Sequence, residues 1–364
     1  MKHKHNWEEV KKRFSAWWHG EGMVLLITAP ASKHLFDAEK PKPPDDPRER
    51  WLDAQYRIAY SEYVISRIYY GGDAFPDMNH YMGPGCLALY LGCEGVFPAE
   101  EGGFGEQNAT VWFKPFIFEP DKAPTLYYDA ENYYWKRHMQ MIRLAVRRAK
   151  GCYEVGMPEL VDNIDILASM RGTQNLLVDL LERPAYVHDY QSQILDLYTR
   201  YYDELYEVIK GDDGGCSFYG YHVWAPGRIA KFQCDLACMI SQKAFREFVQ
   251  PYLVEYCNKV EYSVFHLDGR GAIRHIDVIL EVASLNAVQW VPGAGENSLG
   301  HDCGSPKWFP LYEKIRAAGK SLHLHMASNN MSYFLDQFGP KGIYISTSAP
   351  SEEEANRLLN EFYQ

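Results

Sequence analysis

YSVFHLDGRGAIRHIDVIL, residues 262–280, changes its period halfway along. Tyr262 to His266 is a short strand-like run, and a helical spacing begins at Ala272 once Gly269 and Gly271 have broken the strand. The same unit recurs three more times: a strand to Trp290 and a helix from Trp308, a strand to His325 and a helix from Met331, a strand to Ser346 and a helix from Glu352. Parallel strands need crossover connections, so four successive strand-helix units predict a parallel sheet. Upstream, strand-like runs lie at Met23 to Thr28, Val111 to Phe113, Ile164 to Ala168 and Cys216 to Tyr221. Helical spacing covers Trp51 to Tyr70, Glu131 to Ala149, Ala185 to Ile209 and Ser241 to Val260. Eight strand-like runs predict an α/β (β/α)8 TIM barrel with N-terminal helices. A doubly wound open sheet lacks its GxGxxG turn here. The Gly- and aromatic-rich stretch Gly71 to Asn108 reads as a long insertion over the barrel mouth. The whole chain, 1–364, reads as one domain, with extension and insertion over roughly residues 1–110.

Composition narrows the function classes. A net charge of -11 and no basic cluster exclude a general nucleic-acid binder, which needs a basic face. No apolar run approaches the roughly 20 residues of a membrane helix, and Met23 to Ala29 is too short for a secretory core. The expected location is the cytoplasm. Eight scattered cysteines without a paired CxxC framework agree with reduced, buried thiols. The expected assembly is a homodimer, the commonest closed symmetry.

In a parallel barrel the side chains at the C-terminal strand ends converge on one mouth. His266 and Asp268, two apart, share one face and can meet one ligand or metal, while the glycines after them let a bound group approach the backbone. A hydrogen-bonded core histidine and a helix cap are the plainer reading of the same pair. YGYHVWAPG places Tyr221, His222 and Trp224 at a strand lip, where packing is an equal alternative to substrate binding. Gln289 and Trp290 follow one strand, and His323 and His325 another. Asp165 and Asp235 are candidate carboxylates, although Asp235 also suits a helix cap. His301, Asp302 and Cys303 form a possible ligand set that reads first as a turn.

Four stretches carry a resemblance: MRGTQNLLVDLLERPAYV (Met170 to Val187), QCDLACMISQKAFREFVQPYL (Gln233 to Leu253), VFHLDGRGAIRHIDVIL (Val264 to Leu280) and AVQWVPGAG (Ala287 to Gly295). Over roughly residues 130–364 the chain resembles the uroporphyrinogen-decarboxylase-like superfamily, which holds the decarboxylase, corrinoid-dependent methyltransferases and cobalamin-independent methionine synthases. The wording is similar to a branch also known as trimethylamine corrinoid proteins. The resemblance implies the barrel fold and, in the methyltransferases, zinc held by a HxC pair and a late Cys. Here Asp268 replaces the first Cys, and Ser346, Thr347 and Ser348 stand where the second is expected. That substitution implies a harder His266/Asp268 site for a divalent metal such as zinc, or no metal. The decarboxylase's Arg-rich N-terminal motif is absent from RFSAWWHGEG, Arg13 to Gly22.

The leading expectation is therefore methyl transfer between a small methylated substrate and a corrinoid carried by a partner protein. His266 and Asp268 would hold a metal or protonate the leaving group. A metal-free decarboxylase or other lyase is the alternative, with Asp268 or Asp165 stabilising a cationic intermediate and His222 moving the proton. Gln289, Trp290, Trp224, Tyr221, Asp235 and His325 are the expected substrate contacts. A carbohydrate-active barrel with Trp224 and Trp290 as sugar platforms and a carboxylate pair among Asp165, Asp235 and Asp268, and a binding or accessory protein that lost its thiolates, complete the set.

Overall fold

The computed structural model describes residues 1–98, 110–293 and 303–363. Among them eleven strands form: β1 (Met23–Pro30), β2 (Ile68–Gly72), β3 (Glu94–Val96), β4 (Trp112–Lys114), β5 (Cys216–Phe218), β6 (Val223–Ala225), β7 (Ile229–Gln233), β8 (Tyr262–Asp268), β9 (Ala287–Val291), β10 (Ser321–His325) and β11 (Ile343–Ser348). Seven of them make one sheet in the order β2-β1-β11-β10-β9-β8-β7. Every pair is parallel except β1 with β2. The four C-terminal strand-helix units stand as the sequence predicts. Helices Ile276–Leu280, Phe309–Ala317, Met331–Phe338 and Glu352–Phe362 follow β8, β9, β10 and β11.

The expected closed eight-stranded ladder is not formed among the described residues. β3 pairs only with β4, and β5 only with β6, each in a separate two-stranded sheet. Between the sheet edges the chain makes single parallel bridges, Asp77 with Glu154 and Met157 with Phe218. Pro76 and Pro158 lie in these segments and cannot donate to a ladder. Gly156 sits so close to the next segment that a Cβ there would lie 2.7 Å from the Tyr219 nitrogen. The architecture is a mixed α/β fold compatible with a TIM-barrel-like arrangement whose hydrogen-bonded ladder is open.

Two further expectations change. Ile164 to Ala168 belongs to a helix, Asn163–Arg171, so Asp165 sits in a first helical turn and not at a strand end. Burial explains the misreading: Ile164, Ile166, Leu167 and Met170 are all buried, which erases the polar stripe that marks a surface helix. The helical run from Ser241 is two helices, Gln242–Phe248 and Gln250–Cys257, interrupted at Val249 ahead of Pro251. The insertion from Gly71 to Asn108 is described to residue 98 and holds β3 and a short helix, Leu87–Tyr90. Its residues 99–108 lie outside the described residues, as do His301 and Asp302 and the end of the stretch Ala287 to Gly295.

Register separates the sheet into two faces. Leu267, Trp290, Leu324, Ile345 and Leu25 are successive partners across β8, β9, β10, β11 and β1, and each is at most 1% exposed. This apolar row packs under helices: the Trp290 ring meets Trp308 at 5.0 Å. Against the opposite face lies the N-terminal helix Trp7–Trp18. Its Trp17 donates from Nε1 to the Leu322 carbonyl at 3.2 Å and packs on Tyr344 and His323.

Candidate active site

The residues between the apolar positions make the site. Gln233, His266, Gln289, His323 and Tyr344 are register partners across β7 to β11. A parallel sheet with a barrel-like curve fills its interior with branched aliphatic side chains by default. Five consecutive polar or titratable groups in one layer therefore need a reason other than packing. Ring contacts tie the layer together: His323 lies 3.8 Å from Tyr344 and 5.5 Å from Tyr221, and Tyr221 lies 5.7 Å from His266. The Tyr344 hydroxyl donates to the carbonyls of Tyr221 at 2.9 Å and His222 at 3.3 Å. It thus pins the turn that presents both residues.

At one end of the sheet the layer runs into a charged network. Lys231 and Gln233 alternate on β7 and Asp235 follows at the same period, so all three project to one side. The buried Lys231 ammonium contacts Glu159 and the Gln233 Oε1. Gln233 then donates from Nε2 to Asp235 Oδ1 at 2.9 Å and Asp165 Oδ2 at 3.3 Å. The Asp235 backbone N–H reaches both Asp165 oxygens, at 3.0 and 2.9 Å, and the Gln233 N–H reaches Asp162 Oδ1 at 3.1 Å. Burial pushes Asp162 up to about 7. Burial, then the charges of Asp235 and Asp162, drive Asp165 well above the carboxylate range, so it holds a proton. Asp235 rises through burial, and Lys231 opposes part of the rise. Asp165, Gln233 and Asp235 line a cavity of about 330 Å³ with Val161, Phe113 and Met239.

Four imidazoles occupy the middle and far end. His266 joins Gln289 through Nδ1, and burial with the Lys231 charge pushes its pKa down to about 3. His323 is depressed well below its usual value by burial and by His325, His266 and His222, and its Nδ1 has no partner. His325 Nδ1 lies 3.0 Å from the Ser346 hydroxyl. His222 adopts a left-handed φ of 47° and is exposed, its ring lining a void. His266 and His323 are neutral at physiological pH and act as hydrogen-bonding groups, not charges. His222, His325 and Ser346 line a second cavity, of about 640 Å³, at the β1, β2 and β11 end of the sheet.

The structure brings together His266, Gln289, Tyr221, His222 and His325 of the expected residues, with Asp268 on the strand end beyond His266. Burial raises Asp268, and Lys231 offsets part of the rise. Asp165 and Asp235 join the network from a helix and a 3-10 turn, Asp235–Cys238. Trp224 and Trp290 are not at these cavities. Trp224 is buried against Trp7 with Lys11 over its ring, and Trp290 sits under Trp308 on the outer face. Sequence reasoning missed Lys231, Gln233, Glu159 and Tyr344. The alternation of polar and apolar residues in KFQCD was the available signal for the first two, had that run been read as a strand.

A zinc-thiolate centre does not fit this chain. No group of three His, Cys, Asp or Glu among the described residues can hold a metal ion. Of helices, none among the described residues is long and apolar enough to cross a membrane.

Parallel strands whose C-terminal ends carry titratable side chains around cavities define an α/β fold with a geometry consistent with an enzyme. No family model matches the chain, and no curated protein matches it in sequence. In structure it is similar to a methyltransferase from Methanosarcina mazei, with a TM-score of 0.56 over 98% of this chain and 99% of that chain, at 10% identity. The likeness establishes a methyltransferase-like fold. The narrower placement in the uroporphyrinogen-decarboxylase-like branch is not supported at that level.

Proposed function

We propose that the protein is a methyltransferase-like enzyme that passes a methyl group from a small methylated substrate to a corrinoid carried by a partner protein. Support comes from the methyltransferase fold, from the sequence resemblance, and above all from the proton-holding Asp165 facing the cavity beside Gln233 and Asp235. When a methyl group leaves an amine or oxygen, the carbon-heteroatom bond breaks and its electron pair stays on the heteroatom. That atom needs a proton for an easy departure. A corrinoid carried by a partner would supply the nucleophile that accepts the methyl group, while this chain's residues handle the proton. Asp165 gives its proton to the departing heteroatom. The carboxylate left behind is met by the Asp235 N–H and the Gln233 Nε2, which already point at it. Lys231 fixes the Gln233 amide so that its NH2 faces the two carboxyls. No step in this account requires a resident metal.

The test is methylation of cob(I)alamin by the purified protein from methylamine, dimethylamine, trimethylamine, methanol or a methoxybenzoate, followed by the cobalamin spectrum. Protein-dependent methylation from one of these donors is expected. No methylation from any of them, with no binding of a corrinoid protein, overturns the proposal.

A further inference from the structure

The second cavity carries a guanidinium for which the proposed chemistry has no use. Among the described residues Arg67 is the one Lys or Arg lining that space. Its Nη1 donates to the Tyr63 carbonyl and the Ser66 hydroxyl at 2.9 Å and to the Ala38 carbonyl at 3.2 Å, and its Cζ lies 3.7 Å from the Tyr63 ring centre. These contacts fix the group in place, yet all three bonds run through one nitrogen to neutral acceptors. Among the described residues no carboxylate pairs with Arg67, and Nε and Nη2 have no hydrogen-bond partner.

The wall supplies no counter-charge. Asp77 is the one carboxyl-bearing residue among those described there, and burial with the Glu154 charge drives it well above its usual range, so it stays protonated and neutral. Its bonds turn into the protein, to the Ser217 hydroxyl at 3.4 Å and to the backbone N–H groups of Met78 and Gly156. Much of the remaining wall is apolar, with Leu26, Val64, Ile65, Ile68, Ala74 and Phe75 contributing to it. At about 640 Å³ the space exceeds what a single ion needs and falls in the range of small-molecule sites.

We propose that this cavity binds a small monocarboxylic acid with an apolar body, its carboxylate held by Arg67 and its body by the apolar wall. A guanidinium presents its N–H groups as a fork that matches the two oxygens of a carboxylate. One cation balances one negative charge. A dianion such as a phosphate monoester brings a second charge that the wall does not match, and an unmatched charge is costly beside apolar groups. A neutral ligand leaves the fixed guanidinium without an acceptor, and an acid as short as acetate leaves the apolar wall uncovered.

The experiment is titration calorimetry on the full chain with hexanoate, octanoate and 3-phenylpropanoate, beside their neutral amides, acetate and phenyl phosphate. No methyl acceptor is present, so failure here is distinct from failure of the methyl-transfer proposal. At least one of the three acids is expected to bind tenfold or more tightly than its own amide, than acetate and than phenyl phosphate. Arg67→Gln should weaken that acid at least tenfold and leave its amide unchanged. Ile68→Trp, which narrows the cavity, should weaken acid and amide alike, with thermal unfolding of both variants followed in parallel. Should Arg67→Gln not fold, the acid-amide comparison on the wild type and the loss in Ile68→Trp decide together. The proposal is overturned if none of the acids binds at millimolar concentration, if the amide or phenyl phosphate binds as tightly as the acid, if Arg67→Gln keeps the preference for the acid, or if Ile68→Trp binds the acid like the wild type.

Discussion

Asp162→Asn should make the protein more stable at neutral pH while leaving it nearly unchanged in acid. The unfolded chain ionises Asp162 near its ordinary value of 3.8, whereas burial holds the proton in the fold up to about 7. Between those values the folded state keeps a proton that the unfolded chain has lost. Stability therefore falls as pH rises through this window and levels off above about 7. About three pH units at ~1.36 kcal/mol each come to roughly 4 kcal/mol. Asparagine keeps an oxygen to accept the Gln233 N–H, which Asp162 accepts at 3.1 Å, and it cannot ionise. Urea unfolding of both proteins at half-unit steps from pH 4 to pH 8 measures the difference directly. The slopes from Asp165, Asp77 and Glu154 are shared and drop out of the comparison to first order. Expected is a gap near zero at pH 4 that opens to about 2–4 kcal/mol in favour of the variant by pH 7.5. Parallel curves across the range would show that Asp162 does not hold its proton, and the electrostatic reading of the whole carboxyl network would go with it.

Lys231→Met should cost about 3–5 kcal/mol by urea unfolding, because it strands Glu159 and the Gln233 oxygen, and Glu159→Gln in the same chain should recover part of the loss. Tyr344→Phe removes the donor shared by the Tyr221 and His222 carbonyls, so a loss of about 1–2 kcal/mol is expected by the same assay. Trp290→Ala should destabilise by about 3–5 kcal/mol, a loss seen in the melting transition, yet leave the substrate KM unchanged, since Trp290 packs on the outer face.

The C-terminal half was legible because its physics is local. Each strand there is a short apolar run ended by Gly, Pro or a polar pair, and each following helix has room to show its period. β8 to β11 consequently fall where the runs at Tyr262, Ala287, Ser321 and Ile343 place them. The first half obeys longer-range rules. Asp165 looked like a strand-end carboxylate because a helix buried on every side shows no stripe. β2 and β7 escaped notice, the first hidden in a helical-looking tract and the second a five-residue strand, IAKFQ, with Lys and Gln in its interior. Burying Lys231 is tolerable only because Glu159 reaches it from 72 residues away in the chain. Nothing near residue 231 announces that partner. His266, Gln289 and His325 were visible for the opposite reason: position at a strand end is a local property, and it put the first two in the polar layer and His325 at the second cavity.

The central claim is that the polar layer and its carboxyl network are a reaction site with Asp165 as the proton donor. Asp165→Asn keeps the shape and the hydrogen bond to the Asp235 N–H while removing the proton, so the most direct measurement is its rate of methyl transfer to cob(I)alamin beside the wild type, with thermal unfolding of both. Turnover lower by about a hundredfold or more, with unfolding unimpaired, is the result predicted. Full turnover in Asp165→Asn would contradict it.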